Sequence, residues 1–212
     1  MPVEEFLQRQ ADFELLVVDV LNTHLEPDDD DFEKSLKLFD YISVNYTYQY
    51  EFIEQKHDCA IYLAILERTG QCVELAAVYS YFLLQAGVEA IAVGGHAPTM
   101  DHEWTYLMIN GKGYYSDPTW ALRSETGTIE LDLYYFLMSA DRRAESGFQV
   151  DDLTAPLLPK YWLNRSSIKL DVSEETLCFP SGSFLQSLDE ANKTVHYTCN
   201  GENLELQYAL AQ

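Results

Sequence analysis

The sequence predicts an α+β domain in which an apolar helix carrying a cysteine in its first turn packs on an antiparallel β-sheet. Three observations carry this expectation. After Gly70-Gln71-Cys72 comes a dense apolar run, from Val73 through Leu75, Val78, Phe82 and Leu84, closed by Gly87. It has few β-branched residues and no proline, and it is apolar nearly all round, as a buried central helix is. Next, two stretches rich in Trp, Tyr and Thr flank Asn110-Gly111-Lys112-Gly113, a hairpin-turn signal. Finally, residues 194–199 and 202–208 alternate around Asn200-Gly201, a second hairpin.

Taken in order, residues 4–23 read as an amphipathic helix, interrupted by Pro27 and an acidic run at residues 28–31. Four aspartates suggest calcium, but the glycine and terminal glutamate of an EF-hand loop are missing. The favoured reading is a helix start, with Asp30 as N-cap and Glu33 completing a capping box. That helix runs through Leu36, Phe39, Tyr41 and Ile42 to about Asn45. Tyr46, Tyr48 and Tyr50 follow at period two, to line a cleft or cover the core. Residues 57–68 form a short helix; His57 and Cys59 resemble metal ligands, but the rest of a ligand set is not evident, and no metal is expected. Residues 88–95 read as a strand and the segment from Gly94 to Asp101, with Pro98, as a loop bordering the cleft. Residues 131–138 read as another strand of the same sheet, and residues 139–159 as a loop with a short helix. Residues 1–165 are expected to form the main domain and residues 166–212 a small β-rich segment without identifiable chemistry.

Cys72, His102 and Asp117 are the candidate catalytic residues. At a helix N-terminus the unpaired N–H groups and the macrodipole favour a thiolate, the nucleophilic form of cysteine. A buried structural cysteine is the plainer alternative. A two-residue loop at Asn110-Gly111 pairs Ile109 with Lys112, so Trp104 faces Asp117 and His102 lies diagonal to Asp117 on the same face. A loop at Gly111-Lys112 keeps that parity; a three-residue loop breaks it. Diagonal neighbours are about 7–8 Å apart, within reach of long side chains. In such a set the imidazole takes the thiol proton, and the carboxylate orients the imidazole.

These residues resemble the transglutaminase-like superfamily. Gly70-Gln71-Cys72-Val73-Glu74-Leu75-Ala76 is similar to its nucleophile segment, His102-Glu103-Trp104-Thr105 to its His-Ala-Trp-Asn pattern, and Tyr114-Tyr115-Ser116-Asp117-Pro118-Thr119-Trp120 to its Tyr-x-x-Asp-x-Thr-Trp. The resemblance starts near Asp31 and extends weakly to about residue 165. It implies a papain-like fold with Cys72 as nucleophile, His102 as general base and Asp117 as orienting acid. Tyr62, Gln71 and Trp104 are candidates for the oxyanion site or cleft, with the Cys72 backbone N–H as a further donor. Glu103 and Thr105 depart from the usual Ala and Asn, which bears on substrate preference. The implied activity is thiol-dependent acyl transfer or amide hydrolysis on protein or peptide substrates, cell-wall peptide among them, without a cofactor. Peptidase, deamidase and transglutaminase outcomes all stay open. The alternative is a catalytically silent binding module on the same fold.

Composition bounds the rest. The chain has 212 residues, 47% of them hydrophobic, enough for a real core. The net charge of −22 argues against nucleic acid or an anionic membrane surface as partner. No membrane span or signal peptide is evident. Members of this superfamily are often exported by bacteria, so cytoplasmic and extracytoplasmic locations both stay open. Of the four cysteines, Cys59, Cys72, Cys178 and Cys199, none has metal-site spacing. Cys178 and Cys199 could pair in an exported protein or remain free thiols.

Overall fold

The computed structural model describes residues 2–51, 60–150, 172 and 177–208. The first helices are α1 (Val3–His24) and α2 (Asp31–Asn45). The acidic run starts α2: Asp30 accepts the Glu33 N–H at 3.0 Å, and Glu33 accepts the Asp30 N–H at 2.8 Å. Asp29, by contrast, is buried and paired with Lys37. Phe32, Leu36, Phe39 and Ile42 form the buried stripe of α2.

A short parallel ribbon of β1 (Thr47–Tyr48) and β2 (Thr69–Gly70) follows, with α3 (Ala60–Glu67) between its strands. The expected helix start at residues 57–59, with His57 and Cys59, lies outside the described residues. The ribbon lays the tyrosine segment beside the start of α4 (Cys72–Gln85), and Gln49 N donates to Gly70 O at 2.9 Å. Tyr46 is buried in the core, while Tyr50 is exposed. α4 is the central helix, burying Leu75, Val78, Tyr79, Phe82 and Leu83. It ends at Gly87, whose φ of +85° suits the left-handed turn after a helix. Tyr79 ties it to α2 by donating to Ser35 O at 2.9 Å.

α4 packs on an antiparallel sheet of β3 (Ala90–Ala97), β4 (Met100–Ile109), β5 (Lys112–Ser116) and β6 (Gln149–Val150), in the order β5-β4-β3-β6. Ile109 pairs with Lys112, and Asn110 and Gly111 both have positive φ, as a two-residue type I′ turn demands. The segment read as a loop from Gly94 to Asp101 is instead strand almost throughout. The β3–β4 ladder continues to Ala97↔Met100 and reverses at Pro98-Thr99. Gly95 marks a close approach rather than a turn: a Cβ there would stand 2.3 Å from Trp104 Cη2 and 2.6 Å from Gln149 O.

Residues 131–138 do not form the expected strand. Asp132 caps a 3₁₀ turn at Leu133–Tyr135 by accepting the Tyr134 N–H at 2.9 Å, and Leu137 takes a φ of +51°. The capped turn and the left-handed residue both break an extended run, leaving single bridges of Met138 to Tyr115 and Asp132 to Phe184. Two short helices complete this region, α5 (Arg123–Thr126) and α6 (Ala140–Glu145).

The C-terminal strands β7 (Ser183–Asp189), β8 (Thr194–Cys199) and β9 (Glu202–Gln207) form a meander in that order, with the β8–β9 turn at Asn200-Gly201. This sheet shares the main core: Tyr208 stacks on Phe32 at 4.2 Å, and its hydroxyl donates to the buried Glu33 at 2.5 Å. Lys193 donates to both Glu33 oxygens at 2.8 Å. Cys178 and Cys199 are free thiols. A second, smaller cluster of Val93, Trp104, Tyr106, Tyr115, Met138 and Phe148 is separate from the main core, which takes Leu107 and Ile109 of the same strand β4. Alternation along β4 sends one set of side chains to each cluster.

Candidate active site

Cys72 is the first residue of α4 and is partly exposed. Its position is fixed from both sides. Gln71 precedes it in extended conformation, donating its N–H to Glu74 Oε2 at 2.9 Å. Gly70 is required because a Cβ there would stand 2.7 Å from Glu74 Cβ. The Gln71 amide donates to Gln49 O at 3.2 Å, fastening the tyrosine segment to the helix start. Burial first, and then the negative charges of Cys72, Glu74 and Glu125, push the Tyr48 phenol up. Tyr48 thus stands within electrostatic reach of the sulfur.

His102 and Asp117 meet as the hairpin parity requires. The register Thr105↔Ser116 sets the end of β4 against the end of β5. His102 Nε2 lies 2.7 Å from Asp117 Oδ2, and the two side chains are 2% and 0% exposed. Burial disfavours the charged ring, but hydrogen bonds to Asp117 and Cys72, and the charge of both, outweigh it and raise the His102 pKa to about 9. The imidazole is thus bonded to the carboxylate and stands within electrostatic reach of the thiol. Asp117 is held in turn: its N–H donates to Tyr135 O at 2.9 Å, and its Oδ1 accepts the Trp120 N–H at 3.4 Å.

The other sequence candidates fall elsewhere. Trp104 is fully buried and supports His102 from inside the sheet at 6.0 Å between rings, so it does not line an open cleft. Tyr62 packs against Phe13 of α1 at 5.1 Å. Thr105, where asparagine is usual, is fully buried and donates to Ala76 O at 2.9 Å, with Ser80 Oγ 3.2 Å away. It ties the strand to the helix one turn below Cys72. Glu103 is half-buried opposite Gly94.

Two residues escaped the sequence reading. Trp120 stacks on His102 with centroids 5.0 Å apart and planes 18° apart. Its motif, Asp-x-Thr-Trp, signals it, because the tryptophan both bonds the aspartate and covers the histidine. Arg143 of α6 is 1% exposed and donates from Nη1 to Asp117 Oδ2 at 2.8 Å. Its guanidinium lies over the rings of Trp104, Phe148 and Trp120 at 4.1, 4.6 and 5.0 Å. Asp141-Arg142-Arg143 reads as an ordinary polar helix, so nothing local announces this burial.

Residues 19–124 match the model of the transglutaminase-like superfamily. The chain belongs to this superfamily. Its α+β core has the papain-like arrangement, with the cysteine at the head of the central helix on an antiparallel sheet. The superfamily generally includes cysteine-dependent acyl transferases and proteases, acting on protein substrates. Among solved structures, a TGase is 14% identical over 56% of this chain and 33% of its own, with a TM-score of 0.42. A candidate cysteine protease from Cytophaga hutchinsonii is 17% identical over 53% of this chain and 39% of its own, with a TM-score of 0.44. The chain thus spans a third to two fifths of those proteins' length. No curated protein matches the sequence. Among the described residues no helix is long and apolar enough to cross a membrane, and no cluster of His, Cys, Asp and Glu could hold a metal.

Proposed function

We propose that this protein is an enzyme that transfers or hydrolyses the acyl group of an amide in a protein or peptide, using Cys72 as nucleophile, His102 as proton carrier and Asp117 as orienting carboxylate. The observation that carries the reading is the buried His102, hydrogen-bonded through Nε2 to Asp117, with the Cys72 thiol at the head of α4 among the groups that raise its pKa. With a His102 pKa of about 9, the ring is cationic at neutral pH. The sulfur attacks the amide carbonyl carbon. The N–H of Cys72, a helix N-terminal donor without an intrahelical acceptor, faces the developing oxyanion. The C–N bond then breaks as the imidazolium gives its proton to the departing amine, leaving a thioester on Cys72 and a neutral ring. Water or a second amine attacks the thioester and gives its proton to His102 as the C–S bond breaks, restoring the thiolate and imidazolium pair. Water gives hydrolysis or deamidation, and an amine gives transamidation.

The test is incubation with a disordered protein such as β-casein, with and without a primary amine, read by mass spectrometry. Cleavage, conversion of glutamine to glutamate, and amine incorporation are distinct products. One of them should form, vanish in Cys72→Ala, and fall by orders of magnitude in Asp117→Asn, as in the comparable serine triad. Absence of all three products across a panel of proteins, cell-wall peptides included, would turn the reading toward a binding module.

A further inference from the structure

The buried Asp117 carboxylate serves two cations through one atom. Oδ2 lies 2.7 Å from His102 Nε2 and 2.8 Å from Arg143 Nη1. The same three rings, Trp104, Trp120 and Phe148, surround both cations, at 5.0–6.0 Å from the imidazole and 4.1–5.0 Å from the guanidinium. Their faces attract positive charge and exclude water. Among the described residues, Nε and Nη2 of Arg143 have no hydrogen-bond partner, so Asp117 is the anion that holds the guanidinium there. A pair buried this completely is poorly screened, and its charges act on their neighbours. Arg143 lies outside residues 19–124, the part matched by the superfamily model.

We infer that Arg143 is a positioning residue of the Cys72–His102–Asp117 site: it shares the Asp117 oxygen with His102 and sets how readily His102 gives up its proton. The inference rests on the triad proposed above. A second cation on the same oxygen weakens the hold of that carboxylate on the imidazolium and makes the ring a better acid toward a leaving amine. Arg143 divides the negative charge of Oδ2 and repels the imidazolium from the other side. It also makes the site neutral overall when the sulfur is a thiolate and the ring is protonated. The groups facing this pair are Asp117 and Cys72 around His102, and the phenols of Tyr134, Tyr135 and Tyr115 around Arg143. Among these only Arg143 is a permanent cation.

The test is the NMR titration of His102 in ¹³C-histidine-labelled protein, which reads the ring directly and needs no turnover. A like charge within about 4–6 Å moves a pKa by about 1–3 units. In Arg143→Met the His102 midpoint should therefore rise by about one unit or more, and Arg143→Lys should bring it back toward the wild type. Removing one partner of a buried pair can unfold a protein, so the same step is repeated in Asp117→Asn, where both ends of the pair are neutral in the double variant. There the Arg143→Met midpoint should again lie above that of Asp117→Asn alone. A rise under about half a unit in every folded pair, or a fall, would overturn the inference. That result leaves the triad untouched, because alkylation of Cys72 and product formation are read separately.

Discussion

His102 should make the stability of this protein depend on pH in a way that can be read without any substrate. The perturbation is His102→Gln, compared in a Cys72→Ala background so that thiol titration drops out of both arms. In the intact protein the ring pKa is raised from 6.5 to about 9, against the opposing effect of burial, by hydrogen bonds to Asp117 and Cys72 and by their charges. At about 1.4 kcal/mol per pKa unit, the whole rise corresponds to about 3 kcal/mol of folding stability. Asp117 supplies the larger share, so about 1–2 kcal/mol should remain without the thiol. Because the folded pKa is raised, this stability is fully present below pH 6.5 and is lost as pH climbs through the raised value. Urea unfolding at pH 6 and pH 9.5 gives both free energies. The advantage of Cys72→Ala over Cys72→Ala/His102→Gln should shrink by about 1–2 kcal/mol between those pH values. An advantage constant within about 0.5 kcal/mol, or one that grows with pH, would refute the argument.

Two substitutions test the architecture behind the site. Gly95→Ala drives a Cβ into Trp104 and Gln149 O, and should cost about 1–3 kcal/mol or more in chemical denaturation; a loss below about 0.5 kcal/mol would show that the close approach is not needed. Thr105→Val removes the hydroxyl bonds to Ala76 O and Ser80 and should cost about 1–2 kcal/mol, while native Cys72 alkylation keeps its rate. A changed product profile in that variant would return Thr105 to the substrate site.

Much of the site was legible because its information is local. Asn110-Gly111 sets the turn, the turn sets the register, and the register puts His102 and Asp117 on one face. The same holds for Asp30 and Glu33, whose capping box is written in four residues. The failures came where distant contacts decide. Gly95 resembles a loop glycine until Trp104 is seen lying across it. Residues 131–138 have strand composition, but the Asp132 cap and the left-handed Leu137 turn them aside. Trp104 has the bulk of a cleft residue, yet it is spent on the faces of His102 and Arg143. Arg143 was invisible for the same reason: a charged residue on a short polar helix reads as solvated until the buried partner it needs is found across the fold.

The central claim is that Cys72 is an activated thiol. It is tested most directly by timed iodoacetamide labelling of the native protein at pH 7, with peptide mapping of Cys59, Cys72, Cys178 and Cys199. Cys178 is already engaged, accepting the Ser139 N–H and donating to Leu137 O, both at 3.1 Å, and Cys199 is buried. Cys72 should label first, and in folded His102→Ala, which lacks the cation beside the sulfur, it should label at least about tenfold more slowly. If Cys72 labels no faster than Cys178, or if His102→Ala leaves its rate unchanged, the cysteine is structural and the enzymatic reading fails.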